Sequence, residues 1–240
     1  EKEKLNLIGR AMNAILRLDP DIVMFGEVRN IASAKTVFQL STTGHRVYST
    51  VHASNAVAII GRLREIGIEM YNLTDPAQLS GLISQRLIRK LCPHCSIPLG
   101  RATKEQVERE GLDSELIKAA MALEDVGKSY KDQHSHNIGG IRITNHNGCE
   151  HCNRGISGRS VVAETIRTDE QFFDLIRSNR TMDAIAYWLG ERNGLRMSEH
   201  AAQLMVCGDV SPRDVITATG DYSLFDIEKR GEAVFGKLML

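Results

Sequence analysis

Two Cys-x-x-Cys pairs, Cys92-Pro-His-Cys95 and Cys149-Glu-His-Cys152, restrict the fold of this chain more tightly than any other feature. Each pair can set two thiolates on one metal ion, and together they supply the four soft ligands that a structural Zn2+ takes in tetrahedral geometry. The fold must then bring segments about fifty residues apart to one point. Closing such a loop costs on the order of 3 to 4 kcal/mol by the (3/2)RT ln n scaling. Apparent zinc binding in small Cys-rich modules contributes about 10 to 16 kcal/mol, so binding wins. Two other uses of the cysteines stay open on spacing alone: disulfides, which a cytosolic chain does not keep, and a thioredoxin-like redox pair, which wants a CxxC at a helix start after a strand. His94, His136, His146 and His151 are imidazoles near the pairs, although four cysteines already fill a tetrahedral site. Cys207, in VCGDVSP, reads as a small buried apolar residue.

The chain has 240 residues, 42% of them hydrophobic and 25% charged, enough for one large domain or two small ones. Its 30 basic and 30 acidic residues cancel, so nothing in the overall charge points to a polyanionic partner. A nucleic-acid-binding zinc ribbon, the weakest of three readings, would want a basic face with aromatics for stacking, and aromatic content is 5%. No apolar run approaches the roughly 18 to 20 residues that span a bilayer, and the opening EKEK is not a secretory signal. The expectation is a soluble cytosolic chain without a transmembrane segment. It opens without a methionine, which suggests a piece of a longer polypeptide.

Apolar spacing gives the element order. Leu5, Ile8, Met12, Ile15 and Leu16 predict an amphipathic helix over 5–18, stopped near Pro20. Asp21 to Val28 is a nearly unbroken apolar run, which predicts a strand covered on both faces in a parallel sheet, with Glu27 at its carboxyl end. Arg46 to Val51 predicts a second strand of the same kind, ending at Thr50 and His52, and a helix over Ile31 to Leu40 lies between them, closed near Thr43-Gly44. Ser54 or Asn55 caps a helix through Val57, Ile60 and Leu63 towards Gly67. Asp75-Pro76 opens another, with Leu79, Leu82, Ile83, Leu87 and Leu91 on its buried side. Helical periodicity returns over Thr103 to Leu123, followed by the polar stretch KDQHSHNIGGIRITNHNG, expected to be solvated and partly mobile. Then come a strand over Gly158 to Ile166 and helices over Glu170 to Arg177, Met182 to Glu191, Ser198 to Val206 and from Ser211-Pro212 to Ala218. In the tail, Leu224, Phe225, Ile227, Val234 and Phe235 suggest a docking helix, weakened by Gly231 and Gly236.

Strands alternating with helices imply an α/β sheet, whose ligands bind beyond the carboxyl ends of the strands. Glu27 and His52 therefore point to one crevice. On spacing alone, a Glu27 that merely pairs with Arg29 at a solvated strand end is an equal alternative, and His45 reads as a turn residue beside Gly44.

DPDIVMFGEVRN followed by TGHRVYSTVHASNA resembles the Walker B and histidine boxes of the secretion and pilus assembly ATPases, which drive type II secretion and type IV pilus extension. The resemblance runs in order over roughly 5–220. It implies that Glu27 orients or activates the water attacking the γ-phosphate of ATP and helps to hold Mg2+, that His52 lies near the γ-phosphate, and that Arg17, Arg29 and Arg159 (in SGRSVVAE) stabilise phosphate charge near a subunit boundary. Asn13 stands where relatives often carry a further arginine. It implies a homo-hexamer acting on an inner-membrane platform protein, peripheral to that membrane. Within the family a tetracysteine module, here Cys92, Cys95, Cys149 and Cys152, goes with extension and secretion rather than retraction, and the insert between these pairs is longer than usual.

ATP hydrolysis on such a sheet needs a GxxxxGK[ST] loop whose backbone N–H groups cradle the phosphates. The sequence's GK[ST], Gly127-Lys128-Ser129, has Ala122 where the first glycine belongs and follows a helical pattern instead of a strand. The loop is expected upstream of Glu1, which leaves the chain as given not competent alone. The expected fold class is α/β: an incomplete RecA-like ATPase sheet without its phosphate-loop strand, an inserted tetracysteine zinc module and a C-terminal helical subdomain. The corresponding domains are a RecA-like portion over 1–91, the zinc module over 92–152, a return strand with the helical subdomain over 153–220, and a tail over 221–240. The alternative function is a catalytically silent, zinc-stabilised scaffold or interaction module.

Overall fold

The computed structural model describes residue 10 and residues 14–134, 139–220 and 234–235. The start of the helix expected from residue 5, Asn13, His136 and most of the tail with its expected docking helix lie outside the described residues. The chain divides into two compact units, residues 1–84 with 165–194 and residues 85–164 with 195–240.

In the first unit, residues 14–18 are helical, and β1 (Ile22–Phe25) pairs in parallel with β2 (Arg46–Ser49) in the register Ile22↔Arg46 to Phe25↔Ser49. Between them runs α1 (Ile31–Thr42). It starts where the Asn30 side chain accepts the Ser33 N–H at 3.0 Å and the Ser33 hydroxyl accepts the Asn30 N–H at 3.2 Å, a reciprocal cap. It ends at Thr43, and Gly44 turns the chain with φ +96°, a conformation that suits glycine. Leu40 of α1 packs on Val23 with Ile15, Leu16 and Val47. The opposite face of this strand pair leaves Ile22, Met24 and Tyr48 exposed at 57%, 67% and 52%. Burial on both faces, expected from the apolar run, is therefore not what the structure has, because the described helices cover one face only.

Next come α2 (Ala58–Ile66), whose first N–H is accepted by the Asn55 side chain at 2.8 Å, and the short α3 (Met70–Leu73). Where a helix was expected from Asp75-Pro76, the structure has a turn and then β3 (Gly81–Leu91). Leu82, Ile88 and Leu91 are buried while Ile83 and Leu87 are each 59% exposed, so the helical spacing of the leucines is coincidental. The partner strand β6 (Ile156–Arg167) decides the matter. It lies more than sixty residues away in sequence, beyond the reach of a periodicity argument. In the first unit the Thr168 N–H donates to the Ser80 carbonyl; in the second the Cys92 N–H donates to the Gly155 carbonyl.

The first unit closes with α6 (Glu170–Arg177), capped by Asp169, and α7 (Thr181–Gly190). Phe172, Phe173, Ile176 and Trp188 pack with Val28, Phe38, Ile60, Leu82 and Ile166 into one core.

The second unit contains β4 (Ile97–Pro98), α4 (Lys104–Glu110), α5 (Ser114–His134) and β5 (Arg142–Ile143), which pairs antiparallel with β4. Its core gathers Ile88, Leu123, Ile141, Ile143 and Val162 around α8 (Met197–Val206), with α9 (Pro212–Thr219) alongside. Gly127-Lys128-Ser129 lies inside α5, where Lys128 pairs with Glu124 at 2.5 Å. The Glu124 carboxylate also accepts the Ile141 N–H at 2.9 Å. Part of the stretch expected to be a solvated excursion is therefore built in: Ile141 and Ile143 are 2% and 0% exposed. Its polar composition conceals two apolar residues that alternate about Arg142 and so face inward on a strand.

Candidate active site and metal centre

The register of β1 and β2 sends Gly26-Glu27 and Thr50–His52 out of the sheet at the same carboxyl edge. Two hydrogen bonds then tie these segments past the strand ends. The Thr50 hydroxyl donates to the Gly26 carbonyl at 2.8 Å, and the Val28 N–H donates to the Thr50 carbonyl at 2.8 Å. Glu27 sits between the two tied points.

Its two carboxylate oxygens are used separately. Oε1 lies 3.2 Å from His52 Nε2, and Oε2 lies 2.5 Å from the Arg29 guanidinium. A carboxylate only accepts, so a hydrogen bond across this contact runs from the imidazole Nε2 to Glu27. The hydrogen bond from Arg29 holds the Glu27 carboxyl below the usual carboxylate range, against a smaller opposing effect of desolvation, and the charges of Arg29 and His52 act in the same direction as the bond. Glu27 is thus an ionised acceptor at neutral pH. If the carboxylate is needed for turnover, Arg29→Ala returns its pKa towards the ordinary value, and the acidic limb of the pH–rate profile moves to higher pH. An unmoved limb in that variant would show that Arg29 does not tune Glu27.

Glu27, Val28, Arg29, His52 and Arg62 line an open pocket of about 310 Å³. Glu27 pairs with Arg29, the contact that the plainer reading of the strand end expects, and it also meets His52. Arg62, on α2, is a lining residue that the sequence pattern did not single out; its one signal is a place inside the helix that follows His52. Arg17, in the helical 14–18 stretch, is exposed and is not among the lining residues, and Arg159 is exposed on β6 in the second unit. His45 is buried at 8%, with Nδ1 3.1 Å from the Thr43 hydroxyl.

In the second unit the four cysteines converge, with all four sulfurs within 4.8 Å of one another. The Cys92–Cys149, Cys95–Cys152 and Cys149–Cys152 sulfurs are each 3.7 Å apart. A tetrahedron with metal–sulfur bonds of about 2.3 Å has edges of about 3.8 Å, whereas a disulfide would need about 2.05 Å. All five cysteines are free thiols, and the donor set fits a metal ion.

Backbone N–H groups of Cys149 and Gly155 donate to Cys152 Sγ at 3.2 and 3.3 Å. Burial pushes the Cys152 thiol up, but these donors together with the Cys149 and Cys95 thiols outweigh it and bring it down to about 7. Cys95 is pushed up to about 12, first by burial and then by the neighbouring sulfurs. Among the histidines, His94 and His151 stack on each other with centroids 4.3 Å apart, and His146 Nε2 lies 3.0 Å from the buried Glu110. Cys207 packs against the core, and burial lifts its thiol to about 11.

Gly155 closes the second knuckle at φ +85°, and a Cβ there would stand 2.5 Å from the Asn145 carbonyl oxygen. Gly155→Ala therefore combines left-handed backbone strain with a backbone clash, and is expected to destabilise the second unit by about 2 to 4 kcal/mol. Thermal unfolding of the full-length protein measures it; an unshifted transition would contradict this geometry.

The family model described as Type II/IV secretion system protein matches residues 1–217. The Type II secretion system ATPase E of Vibrio cholerae is 38% identical over 170 residues, covering 70% of this chain and 29% of that protein. The Type IV pilus assembly ATPase PilB of Thermus thermophilus is 32% identical over 188 residues, covering 78% of this chain and 18% of that protein. The chain thus spans less than a third of the length of these two curated relatives. The X-ray structure of the Legionella pneumophila ATPase DotB is similar in fold, with a TM-score of 0.50 at 15% identity over 86% of this chain and 40% of that one. With nearly its whole length matched by that family model, the chain belongs to the Type II/IV secretion system protein family.

Proposed function

We propose that this chain is the C-terminal ATPase portion of a motor that powers type IV pilus assembly or type II protein secretion by ATP hydrolysis. The observation that carries the reading is the Glu27 carboxylate held between His52 at 3.2 Å and Arg29 at 2.5 Å, beyond the carboxyl ends of two parallel strands. Family membership and relatives named as secretion and pilus assembly ATPases support it.

In this reading Glu27 orients the attacking water and draws off its proton. His52 donates towards the developing charge on the γ-phosphoryl oxygens. Arg29 keeps Glu27 ionised and adds positive charge at the pocket wall. Positioning and electrostatics suffice because phosphoryl transfer asks the protein for little covalent chemistry. Mg2+, when bound, neutralises phosphate charge, and Glu27 is the carboxylate placed to help hold it. Arg17 and Arg159 serve phosphates at the boundary with a neighbouring subunit of a homo-hexamer. Cys92, Cys95, Cys149 and Cys152 hold Zn2+, a cross-link that fixes the second unit. The RecA-like portion, the zinc module and the helical subdomain divide at 91/92 and 152/153, and the phosphate loop lies upstream in the intact polypeptide. The assembled motor works at the cytoplasmic face of the inner membrane on a platform protein. Among the described residues no helix is long and apolar enough to cross a membrane.

His52→Ala in the full-length protein tests the reading. Removing one donor at the developing charge is expected to lower kcat by about 10- to 100-fold, with ADP affinity within about threefold of wild type. A variant with unchanged kcat would remove His52 from the site's chemistry.

A further inference from the structure

We propose that two residues of the segment between the cysteine pairs, Arg142 and Glu110, are positioning residues that hold the two knuckles in metal-binding geometry and so set how slowly the ion leaves. The inference rests on the zinc reading above and assigns what keeps the ligands in place. Each knuckle is closed by its own backbone: the Ser96 N–H donates to the Cys92 carbonyl at 3.0 Å, and the Cys152 N–H donates to the Cys149 carbonyl at 3.2 Å. The flanks next to Cys95 and Cys149 are held from the intervening segment. Ile97 and Pro98, which follow the first knuckle, pair with Ile143 and Arg142, which precede the second. From its place opposite Pro98, Arg142 reaches back to Ser96, the residue after Cys95. Its Nε donates to the Ser96 hydroxyl at 2.7 Å and its Nη2 to the Ser96 carbonyl at 2.5 Å, so one guanidinium fixes side chain and backbone together. At the second knuckle the tie is Glu110, the last residue of α4, whose side chain is 2% exposed. Its Oε1 accepts the Thr144 hydroxyl at 3.1 Å, and its Oε2 lies 3.0 Å from His146 Nε2. Between these two residues, the Asn145 carbonyl accepts the Gly148 N–H at 2.8 Å and turns the chain into Cys149. A buried acid at a helix C-terminus opposes the helix dipole as well as paying for burial, so its place is explained by the segment it grips and not by α4.

Zinc release from the full-length protein into excess chelator tests this, because the chelator must wait for a knuckle to open. Arg142→Met keeps the side-chain stem and removes the donors, and is expected to speed release about 10- to 100-fold, the usual scale for contacts that orient metal ligands. Glu110→Ala should do the same at the second knuckle. His146→Ala, whose ring is 32% exposed and can be lost without opening the core, should speed release about three- to tenfold. Arg142→Lys returns a single donor and should recover part of the loss. Val215→Ala, at a fully buried position of the same core, should lower the unfolding temperature yet release zinc at the wild-type rate. Cobalt substitution gives a second readout: the ligand-field spectrum of tetrahedral Co2+ should change in Arg142→Met and Glu110→Ala and stay unchanged in Val215→Ala. Release within about twofold of wild type in both Arg142→Met and His146→Ala, or an equal acceleration in Val215→Ala, would overturn the inference and leave a general effect of stability. The two readings fail differently. A wild-type protein that takes up neither zinc nor cobalt ends the metal reading and this one with it, whereas metal bound normally and released at the wild-type rate by every variant sinks this one alone.

Discussion

Cys149→Ser in the full-length protein is expected to strip the metal and unfold the second unit. Cys149 is in contact with two of the other three ligand sulfurs at 3.7 Å, so its loss opens the tetrahedron on the side where both knuckles meet. Structural zinc contributes about 10 to 16 kcal/mol in Cys-rich modules, against a typical domain stability of about 5 to 15 kcal/mol. Losing most of the first leaves little of the second. Bound zinc should fall from near one equivalent per chain to near zero, and proteolysis should open sites within 85–164 while 1–84 resists. Cys207→Ser, which touches core residues and no ligand, is the control and should retain its metal. The same site predicts a pH dependence with a definite sign. Binding needs thiolates, and burial among sulfurs lifts Cys95 to about 12, so metal uptake releases protons and affinity falls as pH falls. Full metal content in Cys149→Ser, or uptake independent of pH, would contradict a four-thiolate centre.

How much of this could be read from residues alone depended on the range of the interactions that decide each element. Helices α1 and α6 to α9 announce themselves through local apolar spacing, with Ser211-Pro212 opening α9, and the structure adds side-chain caps from Asn30 and Asp169 to α1 and α6. Residues 81–91 do not, because their leucines satisfy helical spacing while a distant strand, β6, fixes their conformation. The convergence of Glu27 and His52 was legible since each closes a strand and parallel strands share an edge. The individual contacts of the Glu27 carboxylate were not, and the structure has it meet both Arg29 and His52. Arg62 escaped notice because a lone arginine on an exposed helix face has no pattern to betray it; only the phase of α2 turns it to the pocket. The convergence of Cys92, Cys95, Cys149 and Cys152 was legible for the opposite reason, since four cysteines in two pairs leave few other arrangements.

Glu27→Gln should have the largest effect on chemistry with the least effect on binding. The amide keeps the size of the side chain but can neither draw a proton from water nor hold a cation as a carboxylate does. Loss of a positioned general base typically costs about 10²- to 10⁴-fold in rate. In the nucleotide reading binding should hold or tighten, since the change removes a negative charge from the pocket wall and weakens the hold on Arg29 and His52. The fold should tolerate it, because the Thr50 hydroxyl and the Val28 N–H tie the backbone on either side of Glu27 independently of its side chain.

Single-turnover hydrolysis, with the full-length protein in excess over ATP, separates these effects most directly. In Glu27→Gln, ATP should bind at wild-type affinity or better and stay intact at least about a hundred times longer than on the wild-type protein. Bound ATP cleaved at the wild-type rate would contradict the claim that the carboxylate closing the first strand performs the chemistry.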